Sequence, residues 1–169
     1  IVTIRGRNKG YNREFRAGLN NQYEKLPLVI LINRGSASAP EILSGAIRDN
    51  DRGLIVGEDS FGKGLVQQVF TISANNNAAV ALTIAKYFTP SGMSIQRDYK
   101  NLDEWMLHKE VPEERREVRY TSKGRKILGQ GGISPDYKVE VSAHRLTVDL
   151  LISGSFFSYA RKFGSKSAA

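Results

Sequence analysis

Apolar residues fall into short runs and helical spacings that predict alternating strands and a helix early in the chain. Residues 1–7 predict a strand, and the continuous apolar run at 26–33 predicts a strand buried on both faces, as in a parallel sheet. Apolar positions at helical spacing follow at 42–47, and the polar turn at 50–53 ends that helix. Residues 53–57 predict a second short buried strand. The order strand, helix, strand predicts a right-handed crossover in an α/β fold.

The rest of the chain predicts a β-hairpin, a polar insertion and a C-terminal helix. Residues 65–73 and 78–89 predict two strands around the asparagine-rich turn at 75–77. The polar segment 98–120 predicts an insertion or a mobile loop. The other predicted elements are a short helix or loop at 12–19, a glycine-rich loop at 129–135, a strand at 137–141, a C-terminal helix from Leu146 that Gly154 interrupts, and a frayed end at 165–169.

Composition narrows the classes of function. The 169 residues, 40% hydrophobic and 25% charged, predict one globular domain over 1–169, and no apolar run is long enough to span a membrane. The absence of cysteine excludes disulfides, thiol catalysis and cysteine zinc sites. His108 and His144 lie in polar segments, so we expect both at the surface, although a Ser-His-Asp triad could recruit one. Because the chain opens inside a strand rather than on Met, we expect a fragment or a processed chain.

The net charge of +8 raises the question of an anionic partner. Acidic residues interleave with the basic ones over residues 97–126, a mixture more typical of a solvated face than of a phosphate-binding track. We therefore expect no nucleic-acid partner. Attraction to an anionic membrane surface is equally compatible with the charge, and the oligomeric state is not predicted.

Ser38 lies where the apolar run of 26–33 gives way to the predicted helix. Its hydroxyl would emerge at the carboxyl end of a strand, where α/β sheets place their sites. The unsatisfied N–H groups of the first helical turn, beginning with that of Ala39, would favour the negative charge of a tetrahedral oxyanion. Ser36 and Ser38 can equally be helix caps, a role that serine performs well.

Lys63 stands between Gly62 and Gly64 in a loop after the second predicted strand. A lysine acts as a base only when it is neutral, which burial promotes. Gln67, four residues further on, could hold the amine by a hydrogen bond without adding charge. The alternatives are an exposed loop lysine and a phosphate-binding loop over residues 57–63, which match G-x-x-x-x-G-K. Gly64 in place of Ser or Thr, and the predicted strand that follows, argue against the phosphate-binding loop.

Several motifs in a fixed order resemble the core of the C-terminal processing peptidases, or tail-specific proteases, which are serine peptidases with a Ser–Lys dyad. They are Ile-Leu-Ile-Asn-Arg-Gly-Ser-Ala-Ser-Ala-Pro-Glu-Ile at 30–42, Ile-Val-Gly-Glu-Asp-Ser-Phe-Gly-Lys-Gly-Leu-Val-Gln-Gln at 55–68, Tyr-Phe-Thr-Pro-Ser-Gly-Met-Ser-Ile-Gln at 87–96, Tyr-Thr-Ser-Lys-Gly-Arg at 120–125 and Gly-Gly-Ile-Ser-Pro-Asp at 131–136. The resemblance covers most of residues 1–141. It implies a ClpP/crotonase-like α/β serine protease core.

The resemblance also implies roles for individual residues. Ser38 corresponds to the nucleophile, Lys63 to the general base and Gln67 to the residue that orients the lysine, while the Ala39 N–H would serve the oxyanion. Asp49 matches an acidic position sometimes implicated in the family, but we expect an exposed aspartate at a helix end. Pro40 stands where the family often has serine, which an early helical position tolerates.

The implied activity is a serine endopeptidase that cleaves protein substrates near their C-termini through an acyl-enzyme, with no metal or cofactor. The family suggests an extracytoplasmic bacterial location, in the periplasm or cell envelope. Family members carry an upstream PDZ domain and an upstream glycine-rich segment that completes the oxyanion hole, and neither lies in this chain. The alternative is therefore a non-catalytic peptide-binding remnant that adds a substrate strand to an open sheet edge such as residues 65–73.

Overall fold

The computed structural model describes residues 1–18, 23–73, 78–98, 111–129, 131–139 and 145–164. The helices are α1 Ala39–Asp49, α2 Arg145–Ile152 and α3 Ser155–Gly164, with 3-10 turns at Lys9–Tyr11 and Glu113–Arg115. The strands are β1 Val2–Gly6, β2 Arg13–Phe15, β3 Val29–Ile32, β4 Leu54–Gly57, β5 Leu65–Ser73, β6 Ala78–Phe88, β7 Val118–Tyr120, β8 Lys126–Leu128 and β9 Tyr137–Lys138.

An antiparallel sheet is built in the order β2-β1-β6-β5. Its long β5–β6 pair confirms the predicted hairpin strands, while the turn predicted at 75–77 lies outside the described residues. The short helix or loop predicted at 12–19 is wrong at Arg13–Phe15, which forms strand β2 and pairs with β1, while residues 16–18 are irregular. All three β2 residues are exposed at the sheet edge, so no hydrophobic alternation marks this strand in the sequence.

A parallel sheet in the order β3-β4-β9 carries the strand–helix–strand unit that the sequence predicts. Helix α1 connects β3 to β4, and its apolar side packs on the core of this sheet. The core consists of Ile32, Ile55, Ile95 and Ile133, with Ile30, Ile42, Ile47 and Tyr87 packed against them. The protein is therefore a mixed α/β fold, as expected.

Only one face of β3 is buried, so the prediction of a strand buried on both faces is wrong. Ile32 belongs to the core, whereas Val29 is 56% and Leu31 77% exposed. Side chains alternate across a strand, and in the described part of the chain only the Ile30–Ile32 side meets α1. The apolar run correctly predicted a parallel strand. It did not indicate that only one face of the strand is buried.

The structure describes part of the polar segment predicted as an insertion at 98–120. Residues 99–110 lie outside the described part, as do both histidines. Beyond them, Glu113–Arg115 forms a 3-10 turn, β7 pairs with β8, and Arg116 is buried. The strand predicted at 137–141 is found at Tyr137–Lys138, and residues 140 and 141 lie outside the described part.

The chain divides into two compact units, Ile1–Val139 and Glu140–Ala169. The second unit contains α2 and α3, which confirms the predicted helix and its interruption, since Gly154 adopts a φ of 65° between them. The frayed end at 165–169 lies outside the described residues. Among the helices that the structure describes, none combines the length and apolarity needed to cross a membrane. The extent of the predicted catalytic domain, 1–169, stays a prediction.

Candidate active site

Ser38 lies in the turn between β3 and α1, with backbone angles that residues bearing a side chain rarely adopt. Its φ is 63° and its ψ −113°. Such conformations cost about 1–3 kcal/mol and persist only where surrounding groups hold them. A strained serine between a strand and a helix is also how nucleophile elbows present a hydroxyl. The strain distinguishes Ser38 from the neighbouring serine of the same turn.

Ser36 has a structural task in that turn. Its hydroxyl oxygen accepts the Asn33 N–H at 3.1 Å, and its own N–H donates to the Asn33 carbonyl at 2.9 Å. The Ser36 carbonyl in turn accepts the Phe61 N–H at 2.9 Å. Ser36 therefore joins the turn after β3 to the loop that follows β4.

Lys63 lies in that loop, between two glycines that have no room for a side chain. Gly62 has a φ of 89°, and a Cβ on it would lie 2.7 Å from the Cβ of Arg97. A Cβ on Gly64 would lie 2.6 Å from the Gln96 nitrogen. The loop leads into strand β5 rather than a helix, which excludes the phosphate-binding loop considered for residues 57–63.

The carboxylate of Glu41, a residue that is fully buried, joins these two segments. Its Oε2 accepts the N–H of Ser38 and the N–H of Lys63, each at 2.8 Å. Its Oε1 accepts the Gly62 N–H at 2.6 Å and the hydroxyl of Ser60 at 2.5 Å. The backbone nitrogens of Ser38 and Lys63 are therefore held within two hydrogen-bond lengths of each other.

Sequence reasoning did not single out Glu41. Its signal was present in the Ser-x-x-Glu spacing from Ser38, which is that of a capping box at a helix start. The spacing predicts the bond from Glu41 back to the Ser38 N–H. It does not predict the bonds to residues 60–63, which tertiary structure brings to the same carboxylate.

The reactive side chains themselves are not joined in this structure. Ser38 is half-buried and Lys63 is exposed, which is the alternative left open for the loop lysine. Gln67 is exposed on β5. Within the described residues no hydrogen bond connects Ser38 Oγ, Lys63 Nζ and the Gln67 side chain. Ala39 is exposed at the first position of α1, where its N–H has no intrahelical acceptor.

Asp49 is buried, which corrects the prediction of an exposed aspartate at the helix end. It is 2% exposed, and its Oδ1 lies 2.9 Å from Nη2 of the equally buried Arg48. Its Oδ2 accepts the N–H of Ser91 at 3.0 Å and the hydroxyl of Ser91 at 2.6 Å. The turn at 90–92 folds over the end of α1 and completes this carboxylate, a contact that local sequence does not reveal.

Two further charged groups are buried near the Lys63 loop. Burial acts to raise the pKa of Asp59, but the hydrogen bond and the charge of Arg116 outweigh it and hold that pKa below its ordinary value. Burial lowers the pKa of Arg97, whose Nη2 donates to the Gly131 carbonyl at 2.9 Å. The Asp59–Arg116 pair and the Arg97–Gly131 bond connect the segment around Lys63 to residues 116 and 131.

A cavity of about 870 Å³ opens at the carboxyl end of α1, the end opposite Ser38. Its lining is rich in charged residues, and among them Arg125 pairs with both Asp51 and Asp136. Neither Ser38 nor Lys63 contributes to it. Among the described residues no group of three or more metal-ligating side chains converges.

Comparison with known proteins identifies peptidases as relatives of this chain. The model of peptidase family S41 matches residues 1–103. A carboxy-terminal-processing protease of Bartonella bacilliformis is 48% identical over 96 residues, which are 57% of this chain and 22% of that protein. A chloroplastic C-terminal processing peptidase of Tetradesmus obliquus is 46% identical over 89 residues, covering 53% of this chain and 19% of that protein.

The fold has a solved counterpart. A structure titled photosystem II D1 C-terminal processing protease aligns with a TM-score of 0.55 and 33% identity, over 82% of this chain and 27% of that one. The likeness extends the agreement from sequence to the mixed α/β architecture. The chain spans about a fifth of the length of the curated relatives it matches.

Proposed function

Because this chain belongs to peptidase family S41, we propose that it carries the serine-peptidase centre of a protease that cleaves protein substrates near their C-termini. The observation that supports this most directly is the single oxygen of Glu41 that binds the N–H groups of both Ser38 and Lys63. The predicted nucleophile and the predicted base are 25 positions apart in sequence. Through this shared acceptor their backbone nitrogens lie close together in space.

Ser38 is the nucleophile and Lys63 its general base in this proposal. Neutral Lys63 Nζ takes the proton of Ser38 Oγ as that oxygen attacks the carbonyl carbon of the scissile peptide bond. The Lys63 ammonium then gives its proton to the leaving amine, and an acyl-enzyme remains on Ser38. Water, deprotonated by Lys63, attacks the ester and releases the new C-terminus.

The oxyanion of each tetrahedral intermediate lies at the start of α1. The Ala39 N–H is an unsatisfied donor there, and the helix dipole adds favourable potential. One such donor contributes about 3 kcal/mol to lowering the barrier. Gln67 orients the amine of Lys63 from the neighbouring strand. Because Lys63 is exposed in this structure, its side chain must turn towards Ser38 and lose water before it can act as a base.

The relatives support a proposal for the wider setting of this core. We assign the core to the ClpP/crotonase-like kind, its substrates to protein C-termini, and its location to an extracytoplasmic or lumenal compartment, since the relatives include bacterial and chloroplastic processing proteases.

The test is a peptide-cleavage assay combined with labelling by a serine-reactive fluorophosphonate. We expect Ser38→Ala and Lys63→Ala to lower kcat by about a million-fold, as removal of the nucleophile or of the general base does in a serine protease with a catalytic triad. Lys63→Arg should be as inactive, because a guanidinium is not deprotonated in proteins. Ser36→Ala and Lys86→Ala, which change another turn serine and an exposed lysine of β6, are the matched controls. Cleavage that survives in Ser38→Ala, or a label mapped to another serine, would refute the assignment.

A second candidate function is peptide binding without catalysis. Strand β5 is a terminal strand of its sheet as described, directly follows the Lys63 loop, and carries Val69 and Ile72 at 67% and 71% exposure. Such an edge can pair with an extended peptide. A chain that binds peptide C-termini but shows neither cleavage nor labelling of Ser38 would favour this function.

A further inference from the structure

We propose that Glu41 is the positioning residue of this site, setting the backbone of nucleophile and base through one carboxylate, and that Ser60 fixes Glu41 in turn. This inference rests on the proposed function for its catalytic consequence. Its geometry rests only on the contacts around the two residues.

The chemistry of the side chain matches its surroundings in number and kind. A carboxylate accepts about four hydrogen bonds and donates none when it is ionised. Glu41 receives four donors, from Ser38 N, Lys63 N, Gly62 N and Ser60 Oγ. Glutamine has nearly the same shape, but its amide nitrogen donates and would face two donors. The site therefore requires an acceptor at both ends of the side chain.

The hydrogen bonds of Glu41 connect two segments that are distant in sequence. Ser38 begins α1, and residues 60–63 follow β4. Ser38 is held at a φ of 63°, and the bond from its N–H to Glu41 Oε2 fixes the peptide group that this strained conformation displays. Since Lys63 N–H binds the same oxygen, a shift of Glu41 changes the separation of the two predicted catalytic residues directly.

Ser60 holds the Glu41 carboxylate in place. It is fully buried, donates its hydroxyl to Glu41 Oε1 and accepts the Ile133 N–H at 2.7 Å. The chain at Gly132 passes so close that a Cβ there would lie 2.6 Å from Ser60 Oγ. The glycine-rich segment 131–133 thus supports Glu41 from behind, which gives that motif a role in the site.

The test compares Glu41→Gln with Ser60→Ala and with Glu58→Gln. Glu58 is a half-buried carboxylate on the same loop, 3.7 Å from Arg34, so its variant controls for a nearby loss of charge. For each purified protein we would measure the thermal midpoint, kcat and KM for a peptide, the fluorophosphonate labelling rate of Ser38, and hydrogen exchange at the amides of residues 38, 62 and 63.

For Glu41→Gln we expect kcat and the labelling rate per folded molecule to fall about 100-fold, because a displacement near 1 Å costs that much in a positioned reaction. KM should change little, and the three amides should exchange faster. Ser60→Ala should give a smaller loss, since Glu41 keeps its backbone donors, and Glu58→Gln should match the wild type.

The outcomes separate the two proposals. If Glu41→Gln labels Ser38 at the wild-type rate per folded molecule, or its loss disappears after correction for the unfolded fraction, the positioning role is refuted while the peptidase assignment stands. If the wild-type Ser38 is never labelled, the proposed function fails. Amide exchange still decides the Glu41 contacts in that case, because unchanged protection of residues 38 and 63 in Glu41→Gln would overturn them.

Discussion

The two ends of α1 hold buried carboxylates in opposite ways. At the amino end, Glu41 is surrounded by three backbone N–H groups and a hydroxyl, all neutral donors. At the carboxyl end, Asp49 pairs with Arg48, and Asp51 pairs with Arg125. The same helix thus carries a carboxylate bound by neutral donors at one end and a network of ion pairs at the other.

The difference indicates what each end can do. Neutral backbone donors fix the main chain at Ser38 and Lys63 while leaving the side chains of both residues outside the cluster. The ion pairs instead join side chain to side chain, so the carboxylates of Asp49 and Asp51 at the carboxyl end are engaged by arginines. A buried pair is costly to break, because removal of one partner leaves the other charge uncompensated. We therefore interpret the amino end as the reactive one and the carboxyl end as structural.

The largest expected effect on stability is that of Asp49→Asn. The substitution keeps the shape of the side chain but leaves the charge of Arg48, which is 1% exposed, without its partner. Breaking a buried pair in this way typically costs about 3–5 kcal/mol, to be measured by urea unfolding. Glu117→Gln, which removes the half-buried partner of the exposed Arg119, is the control and should cost less than about 1 kcal/mol. Equal costs for the two variants would contradict the contrast between the ends of the helix.

A smaller effect is expected at two glycines, one near each end of α1. Gly62 and Gly124 have φ angles of 89° and 82°, so alanine at either position is strained by about 1–3 kcal/mol. Only Gly62 lacks space, since its added Cβ would lie 2.7 Å from Arg97 Cβ, whereas nothing lies within 4 Å at Gly124. Gly62→Ala should therefore cost more free energy of unfolding than Gly124→Ala and should slow labelling of Ser38.

Gly124→Ala should leave the labelling rate per folded molecule unchanged. Chemical denaturation and fluorophosphonate labelling of both variants provide the comparison. If both alanines cost the same free energy and label alike, tight packing of the Lys63 loop is not what positions that residue.

Much of the fold could be predicted because its signals are local. The apolar run before Ser38 and the helical spacing after it need only the chain itself to indicate a strand followed by a helix. The β5–β6 pair is likewise marked by two β-rich segments. The positions of Ser38 and Lys63 came from motif spacing, and the structure brings their backbones to one oxygen.

The parts that could not be predicted depend on contacts between distant segments. The sequence indicates only a helix-capping role for Glu41. Its hydrogen-bonded cluster forms only when residues 60–63 fold towards it and Ile133 binds Ser60. Asp49 reads as a surface residue until Ser91 and Arg48 enclose it. Strand β2 is polar and exposed, so only its pairing with β1 defines it. Burial and pairing of polar groups are tertiary properties, which hydrophobic periodicity does not encode.

The smallest expected effect concerns acid and the charge of Asp51. Burial acts to raise the pKa of Asp51, but hydrogen bonds from Arg125, from the Lys123 N–H and from Ser122 lower it to about 2. A carboxylate whose pKa is lowered on folding stabilises the protein above its unfolded pKa, near 3.9, and loses that contribution as the pH falls through the folded value. The free energy of unfolding should therefore fall more steeply in the wild type than in Asp51→Asn between about pH 4 and pH 2. Urea unfolding of both proteins across that range is the measurement. Parallel pH profiles would show that the charge of Asp51 does not stabilise the carboxyl end of α1, so that the ion pair with Arg125 would not distinguish this end from the amino end.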